Sequence, residues 1–200
     1  MHAAPTPESP DPVLKIGAVV LRAPLRRAAA GVHILILQPK PKHSGEVPPF
    51  VLPRGSRQYR VTTAEGREEW HDARDAATGI AHAATLESFA RGLAREIEEE
   101  AGITPEQLAQ AQVTEMGAME FQSRSKGVYP IHWFVVQPDA ATAATLTNQT
   151  PEDALAVRWA TLEQIKQMAV QGEFSAGYVP VIEAALALVA EIESSVAWQR

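Results

Sequence analysis

Apolar and polar positions along the chain first predict a group of short strands. The segments 13–22 and 31–40 are rich in β-branched residues and partly alternate, as strands with one buried face do. We expect them to form a hairpin with a loose connection. The proline-rich segment 39–49 that follows predicts a loop.

The apolar segment 50–55 predicts a further short strand, which Pro53 and Gly55 should end. Beyond it the pattern has no clean period until residue 84. Part of the segment 63–77 is compatible with a helix, although charged and alanine-rich stretches are mixed there.

The most regular pattern lies in the middle of the chain and predicts an amphipathic helix. Thr85 is placed to cap its beginning, and Gly102 is the expected stop at its end. Apolar residues between them recur at spacings of three and four, which is the period of a helix. They are Leu86, Phe89, Ala90, Leu93, Ala94, Ile97 and Ala101.

The rest of the chain predicts shorter elements and a helical end. Thr104, Pro105 and Gln107 stand in the order of a capped short helix. The remaining predicted elements are strands at 113–123 and 128–138 around a polar turn, a polar loop, a strand at 155–160, and helices at 161–170 and 179–196. This order predicts the α/β class, with a mixed sheet and helices packed on it.

Composition narrows the class of protein. The 200 residues carry a formal net charge of −6, which argues weakly against a nucleic-acid partner. Cysteine is absent from the sequence, which excludes disulfides and cysteine nucleophiles and fits a reducing cytoplasm. Residues 1–12 are expected to be a disordered leader, and residues 13–200 a single domain. The apolar runs are too short to span a bilayer, so we expect no membrane partner.

Glutamates are crowded at the end of the central helix, where the backbone dipole disfavours them. At about 100° per residue, Glu96, Glu99 and Glu100 share one arc at the border of the apolar face, whereas Glu98 lies elsewhere. Carboxylates this close repel each other and take up protons unless a cation binds them, and Mg²⁺ prefers such oxygen ligands. The alternative is that these acids are only the wet face of a helix.

This helix resembles the signature of the Nudix hydrolases. The matching residues are Glu87, Arg95, Glu96, Ile97, Glu99, Glu100, Gly102 and Ile103, all at the family's spacing. The resemblance extends to the flanking strands, to "LPRG" at 52–55, and to the strand with Arg158 and Trp159, which is most of the chain from about residue 13. It implies the Nudix α/β/α sandwich, a mixed sheet between helices.

One departure concerns the glycine that opens the signature. Where the family has a short spacer before the first glutamate, this chain has 31 residues, 56–86. If Gly55 is that glycine, an insertion at about 56–84 splits the loop and leaves the helix intact, and loops accept added length at small entropic cost. Otherwise the glycine is absent, since Ala81 stands at the strict spacing. We favour the insertion.

The resemblance implies how the acids would act. Glu99 and Glu100 would be the principal ligands of Mg²⁺ or Mn²⁺, and Glu96 a further ligand or the base that activates water. The carbonyl of Gly55 would complete the coordination. Acids on a later loop are alternative bases in this family, and the candidates here are Glu120, Glu152 and Asp153.

The resemblance also implies supporting and substrate-binding residues. Arg95 would hold a glutamate in place for catalysis, and Glu87 would support the helix or the outer shell of the metal. Basic and aromatic residues near the predicted loops are candidates for substrate contacts. Arg54, Arg57, Lys40 and Lys42 are candidates for phosphates, and Phe50, Tyr129 and Trp133 for a base, although core packing is the expected role of Trp133.

The function implied by the resemblance is hydrolysis of a diphosphate linkage in a nucleoside diphosphate derivative, by attack of water on phosphorus. "LPRG" is similar to the Leu-Pro-Lys-Gly of many dinucleoside polyphosphate hydrolases, which favours nucleotide substrates over ADP-ribose and nucleoside diphosphate sugars. The alternative from another class is a Nudix-like module that binds a nucleotide as a sensor without catalysis. A homodimer is compatible with the alanine- and leucine-rich C-terminal helix.

Overall fold

The computed structural model of the chain describes residues 15–22, 31–63, 65–72, 85–123, 127–148, 151 and 154–197. Its strands are β1 Lys15–Arg22, β2 His33–Pro39, β3 Arg54–Ser56, β4 Gln58–Thr62, β5 Glu68–Asp72, β6 Thr85–Leu86, β7 Gln112–Ser123, β8 Gly127–Gln137 and β9 Ala154–Thr161. Its helices are α1 Phe89–Ala101, α2 Pro105–Gln110, α3 Ala140–Thr145, α4 Leu162–Gln171 and α5 Val179–Ala197, with 3₁₀ turns at Leu146–Asn148 and Ala176–Tyr178.

The main sheet is mixed and has the order β7-β8-β1-β2-β9, with β1 parallel to β8 and antiparallel to β2. One edge of β1 is shared by two partners. Residues 15–17 pair with β3, whereas Leu21 and Arg22 pair with β2. Between them the N–H of Ala18 donates to the carbonyl of Pro53 at 2.9 Å. Because β2 and β3 diverge from a common partner, a cleft opens between them.

Alternation along β1 sends its side chains to two separate cores. Ile16, Ala18 and Val20 pack with residues of α1, whereas Val19 and Leu21 pack with residues of α4 and α5. The sheet therefore lies between α1 on one face and α4 and α5 on the other. This confirms the predicted α/β class and the mixed sheet between helices.

Several predicted elements are confirmed at their ends. The strands at 13–22 and 31–40 do pair as β1 and β2, and the connection at 23–30 lies outside the described residues. Gly102 ends α1 in the left-handed region at φ 72°, and Thr104 caps α2 in a complete capping box. None of the helices in the described ranges is long and apolar enough to cross a membrane.

The prediction of a strand at 50–55 is wrong in its position. Phe50 and Val51 make only isolated bridges, and the strand is β3, which begins after Pro53. Proline has no N–H to give to a ladder, so the ladder with β1 begins at the next residue, Arg54. Gly55 therefore lies inside the strand and does not end it.

The helix considered for 63–77 is wrong over 68–72, which forms β5 in a hairpin with β4. Gly66 makes the turn at φ 79°, and its N–H donates to the carbonyl of Thr63 at 2.9 Å. A glycine in the left-handed region favours a tight turn over a continuing helix. Residues 73–84 lie outside the described part of the chain.

Two further expectations are wrong at helix ends. Thr85 does not cap α1, because it pairs with β4 as part of β6, and Ser88 is the cap, accepting from the N–H of Arg91 at 3.2 Å. The polar loop after β8 contains α3, which Asp139 caps by accepting from the N–H of Ala141 and Thr142. In both places the short polar side chain directly before the helix accepts hydrogen bonds from N–H groups of the first helical turn.

Substitution of Gly17, the glycine of β1, tests how closely the sheet is packed. Gly17 lies opposite Trp133 of β8, which is fully buried, and a Cβ on Gly17 would come within 2.2 Å of the indole ring. We expect Gly17→Ala to lower the free energy of unfolding in urea by about 3 kcal/mol, because the ring has no space to move into.

Gly45 is the matched control. It lies in the loop after β2 at φ 83°, with nothing near a built Cβ. Only backbone strain acts there, so Gly45→Ala should cost about 1 kcal/mol. Equal losses in the two variants would contradict the packing of Gly17 on Trp133.

Candidate functional site

The cleft between β2 and β3 is an open cavity of about 530 Å³, which is within the size range of small-molecule sites. Helix α1 contributes four residues to its lining: Arg95, Glu96, Glu99 and Glu100. The strands and the loop after β2 contribute others, including three lysines and the whole of β3. The three glutamates of α1 and the end of the segment "LPRG" thus line the same cavity.

A buried ion pair holds α1 in this position. The side chain of Glu87 is fully buried just before the helix, and its Oε2 lies 3.2 Å from Nη2 of Arg95. Arg95 also donates to the carbonyl of Ser56 at 2.7 Å. Burial lowers the pKa of Arg95, but the hydrogen bond to Glu87 and the charge of Glu96 outweigh it and raise that pKa. Arg95 therefore stays charged and joins α1 to β3.

The same guanidinium gathers two carboxylates at the cavity. Nη1 of Arg95 donates to Oε1 of Glu96 at 2.7 Å and to Oε2 of Glu99 at 3.2 Å. The side chain of Glu96 is only 12% exposed, and this burial raises its pKa, against the opposing charge of Arg95 and with the help of Glu99. Glu96 therefore holds a proton more readily than an ordinary glutamate does.

Gly55 lies directly against this acid. A Cβ built on Gly55 would fall 1.7 Å from Oε2 of Glu96, so no larger residue fits without moving the carboxylate. The neighbouring N–H of Arg54 donates to Oε2 of Glu100 at 2.6 Å. The backbone of β3 thus contacts both Glu96 and Glu100, although these acids lie more than 40 positions farther along the chain.

The two ends of the segment between Gly55 and Glu87 are joined by hydrogen bonds. The N–H of Gln58 donates to Oε2 of Glu87 at 3.0 Å, and the N–H of Glu87 donates to the carbonyl of Gln58 at 2.8 Å. Nε of Arg57 adds a hydrogen bond to the carbonyl of Glu87 at 2.8 Å. Between these two ends, β4, β5 and β6 form a separate three-stranded sheet. Glu87 therefore stays beside β3 despite the extra length.

The extra hairpin also reaches α1 directly. The guanidinium of Arg91 lies 3.9 Å from the ring centroid of Trp70 in β5, and Nε of Arg91 is 3.8 Å from Oε1 of Glu87. Cation–π contacts of this kind favour a fixed packing of the two groups. The hairpin is thereby tied to the helix that carries the acids.

The predicted phosphate-binding residues separate into two groups. Lys40 and Lys42 line the cavity, whereas Arg57 does not, because it lies on Glu87 and over the ring of Phe89 at 4.1 Å. Arg54 lines the cavity, but its guanidinium donates to the hydroxyl of Tyr129 at 2.9 Å. Arg57 and Tyr129 therefore have structural contacts in this arrangement.

The other candidates lie away from the acids or outside the described residues. Phe50 packs under the guanidinium of Arg158 at 4.2 Å, and Trp133 is in the core as expected. Glu120 is exposed on β7 opposite Pro130. The alternative bases at 152 and 153 are outside the described part of the chain.

Lys15 lines the cavity and was not among the sequence candidates. It is the first residue of β1, opposite Ser56 of β3, and its ammonium donates to the hydroxyl of Ser56. In the sequence, Lys15 is visible only as one charged residue at the start of an apolar strand. That signal alone does not reveal that β3 and α1 meet there.

The acids fit a divalent metal by their chemistry. No group of three or more acid or histidine side chains in the described residues converges as a ready metal site, because Arg95 and the amide of Arg54 hold the carboxylates. Their oxygens are nevertheless ligands that hard cations prefer, and a cation would offset the repulsion between Glu96 and Glu99. Gly55 keeps the backbone of β3 within reach of the same group.

Comparison with known proteins decides the family. A model of the NUDIX domain matches residues 83–182, which is half of the chain. The chain belongs to the Nudix family. Its match includes α1 and the strands after it, and it begins just before Glu87. No curated protein sequence matches this Nudix chain.

Solved Nudix structures share its fold. NrtR of Shewanella oneidensis has a TM-score of 0.54 at 13% identity, over 90% of this chain and 64% of that one. The NUDIX domain of the same NrtR, complexed with ADP ribose, has a TM-score of 0.52 at 14% identity, over 88% of each chain. A mutT/nudix family protein from Listeria innocua has 0.53 at 14%, over 92% and 97%. At these identities the likeness shows the fold alone.

The buried ion pair generates a stability prediction. Glu87→Gln keeps the shape of the side chain but leaves the charge of Arg95 without its buried partner. We expect it to lower the free energy of unfolding by about 3 kcal/mol in metal-free buffer, measured by urea titration. Glu98→Gln, at an exposed position of the same helix, is the matched control and should stay within about 0.5 kcal/mol of the parent.

Indistinguishable stabilities for Glu87→Gln and Glu98→Gln would contradict the structural role of the ion pair. A second readout is the thermal midpoint, which should fall for Glu87→Gln and not for the control.

Proposed function

We propose that this Nudix chain hydrolyses a diphosphate linkage in a nucleoside diphosphate derivative, by attack of water on phosphorus. Nucleotides and dinucleoside polyphosphates are the favoured substrates, because "LPRG", whose Arg54 and Gly55 line the cavity, is similar to the Leu-Pro-Lys-Gly of many dinucleoside polyphosphate hydrolases. The observation that supports hydrolysis most is the contact of Gly55 with Glu96. It joins the glycine and the acids of the Nudix signature in one cavity, in spite of the added hairpin.

The acids of α1 are the proposed metal ligands. Glu99 and Glu100 would be the principal ligands of Mg²⁺ or Mn²⁺, with Glu96 and the carbonyl of Gly55 as further oxygen donors. A bound divalent ion supplies neutralisation of the diphosphate and a lower pKa for water. These oxygens border a cavity with room for a ligand.

The protein's own residues supply position and basicity. Arg95 holds Glu96 and Glu99 side by side, and Glu87 keeps Arg95 buried and charged. Because burial raises the pKa of Glu96, its carboxylate is a better base than an ordinary one at neutral pH. Glu96 is therefore the proposed base for water, as the alternative to its role as a further ligand of the metal. The amide of Arg54 fixes the orientation of Glu100.

A second candidate is a nucleotide-sensing module without catalysis. Two observations favour it: Arg95 already engages Glu96 and Glu99, and the described residues contain no converged metal group. The NrtR neighbour has been solved with a 27mer DNA, and its NUDIX domain with ADP ribose. ADP-ribose or a nucleoside diphosphate sugar is accordingly the alternative ligand. The formal charge of −6 disfavours DNA as a partner of this chain.

Turnover with substituted acids tests the first candidate. A panel of nucleoside diphosphate derivatives is incubated with Mg²⁺ and the parent, Glu99→Gln, Glu100→Gln or Glu98→Gln, and release of phosphate or nucleotide is measured. We expect the first two substitutions to lower kcat at least about 100-fold, since each removes a negative ligand of the metal. The Glu98→Gln control should match the parent.

The outcomes separate the two candidates. Full turnover by both Glu99→Gln and Glu100→Gln would contradict the assigned metal site. Binding of a panel member by the parent without turnover of any would replace the hydrolase by the sensor.

A further inference from the structure

A second cavity lies between β9 and α4, on the face of the sheet opposite α1. Its volume is about 250 Å³, and none of the described residues lines both this cavity and the cleft between β2 and β3. Strand β9 contributes Arg158 to its lining, and α4 contributes Gln164, Gln167, Met168 and Gln171. We call it the glutamine cavity. Its volume is just below that of sites for drug-sized molecules, so it suits a smaller ligand.

The guanidinium of Arg158 is held in this cavity without being neutralised. Its centre lies 4.2 Å from the ring centroid of Phe50, and its Nη2 donates to Sδ of Met168 at 2.8 Å. The aromatic ring has no net charge, and a thioether sulfur is a weak acceptor. In the part of the chain that the structure describes, no carboxylate pairs with Arg158. Its charge is therefore available to an external anion, although the chain as a whole carries −6.

Three glutamines add neutral hydrogen-bonding groups beside this guanidinium. Gln164, Gln167 and Gln171 stand at spacings of three and four residues, so they lie on one face of α4. Oε1 of Gln164 accepts from the N–H of Thr161 at 2.9 Å, which leaves its NH₂ group as a donor. The side chains of Gln167 and Gln171 make no hydrogen bond in the described residues. The glutamine cavity thus combines one fixed cation with several amide donors, and its described lining includes no acid.

We propose that the glutamine cavity binds a phosphate group, either as free phosphate or as the phosphate of a nucleoside monophosphate. A planar guanidinium binds an oxyanion through paired hydrogen bonds, and the amides of α4 add donors from a second direction. A phosphate group carries about two negative charges at neutral pH and several strong acceptor oxygens, so it can use both sets of donors. A planar carboxylate can be satisfied by the guanidinium fork alone.

This site goes beyond the hydrolysis proposed for the cleft and does not require it. Its donors belong to β9 and α4, whereas the glutamates of the cleft belong to α1. Phe50 contacts Arg158, and its neighbour Val51 lines the first cavity, so one short segment adjoins both places. An experiment must therefore locate the anion at individual residues.

Side-chain resonances locate a bound phosphate directly. The full chain is titrated with inorganic phosphate in metal-free buffer of constant ionic strength. Two-dimensional ¹H–¹⁵N NMR follows Nε–H of Arg158 and the NH₂ groups of Gln167 and Gln171. We expect saturable shifts of these resonances with a Kd on the order of 1 mM, as for a small anion held by a few hydrogen bonds. The same titration with adenosine monophosphate distinguishes the two sources, because the tighter ligand identifies which form the cavity prefers.

Two variants of the cavity test its donors separately. Arg158→Gln removes the charge and the fork, so phosphate should bind at least about tenfold more weakly. Gln167 and Gln171 are exposed, so the double variant Gln167→Ala with Gln171→Ala should fold, and it should weaken binding about threefold through the lost donors. The matched control is Arg60→Gln, which removes an arginine of β4 that pairs with Glu68 at 3.0 Å and should leave the affinity unchanged.

Three results would overturn the phosphate site: shifts that stay linear in phosphate concentration, an unchanged affinity in both cavity variants, or an equal loss in Arg60→Gln. Tighter binding of acetate than of phosphate would overturn the assignment to a phosphate group. Turnover at the cleft is not part of the titration, so a chain that lacks hydrolysis can still show this site, and an active hydrolase can lack it.

Discussion

The buried ion pair between Glu87 and Arg95 is the interaction on which the rest of this site depends. It removes the carboxylate of Glu87 completely from solvent. The free energy lost by desolvation exceeds the free energy gained by pairing unless every partner is in place. Those partners come from three directions: the amide of Gln58, the guanidinium of Arg95, and through Arg95 the carbonyl of Ser56. Helix α1, strand β3 and the segment between Gly55 and Glu87 are therefore fixed together at one point. The positions of the acids of α1 at the cavity depend on this point.

This junction explains how 31 residues can stand between Gly55 and Glu87 without separating the two in space. A loop of any length is tolerated if its two ends remain adjacent, because its entropy then changes only slowly with length. The paired hydrogen bonds between Gln58 and Glu87 close those ends, and the described strands between them, β4, β5 and β6, form a separate sheet. Gly55 consequently lies directly against Glu96, and the contact of Trp70 with Arg91 ties the hairpin to α1.

Much of the fold could be predicted from local patterns, and the rest required long-range pairing. The period of α1, its stop at Gly102 and the box at Thr104 depend on neighbouring residues, and they are confirmed. The β4–β5 hairpin was missed because its polar strands pair with each other and not with the core, so they show no apolar alternation. The acids of the predicted signature were selected by their spacing, and Glu96, Glu99 and Glu100 do line one cavity. Lys15 was not, because its place in the cavity arises only when β1 pairs with β3. Arg57 was misleading for a similar reason, since a basic loop residue and a buried partner of Glu87 look alike in sequence.

The central claim is that Gly55 and the glutamates of α1 form one metal centre, and binding of Mn²⁺ tests it most directly. Calorimetric titration of the parent and of Gly55→Ala, both shown to be folded by circular dichroism, compares the two affinities. Since the added Cβ must displace the carboxylate of Glu96, Gly55→Ala should bind Mn²⁺ at least about tenfold more weakly than the parent. Saturable binding of equal affinity in both proteins would contradict the claim, and so would the absence of specific binding in the parent.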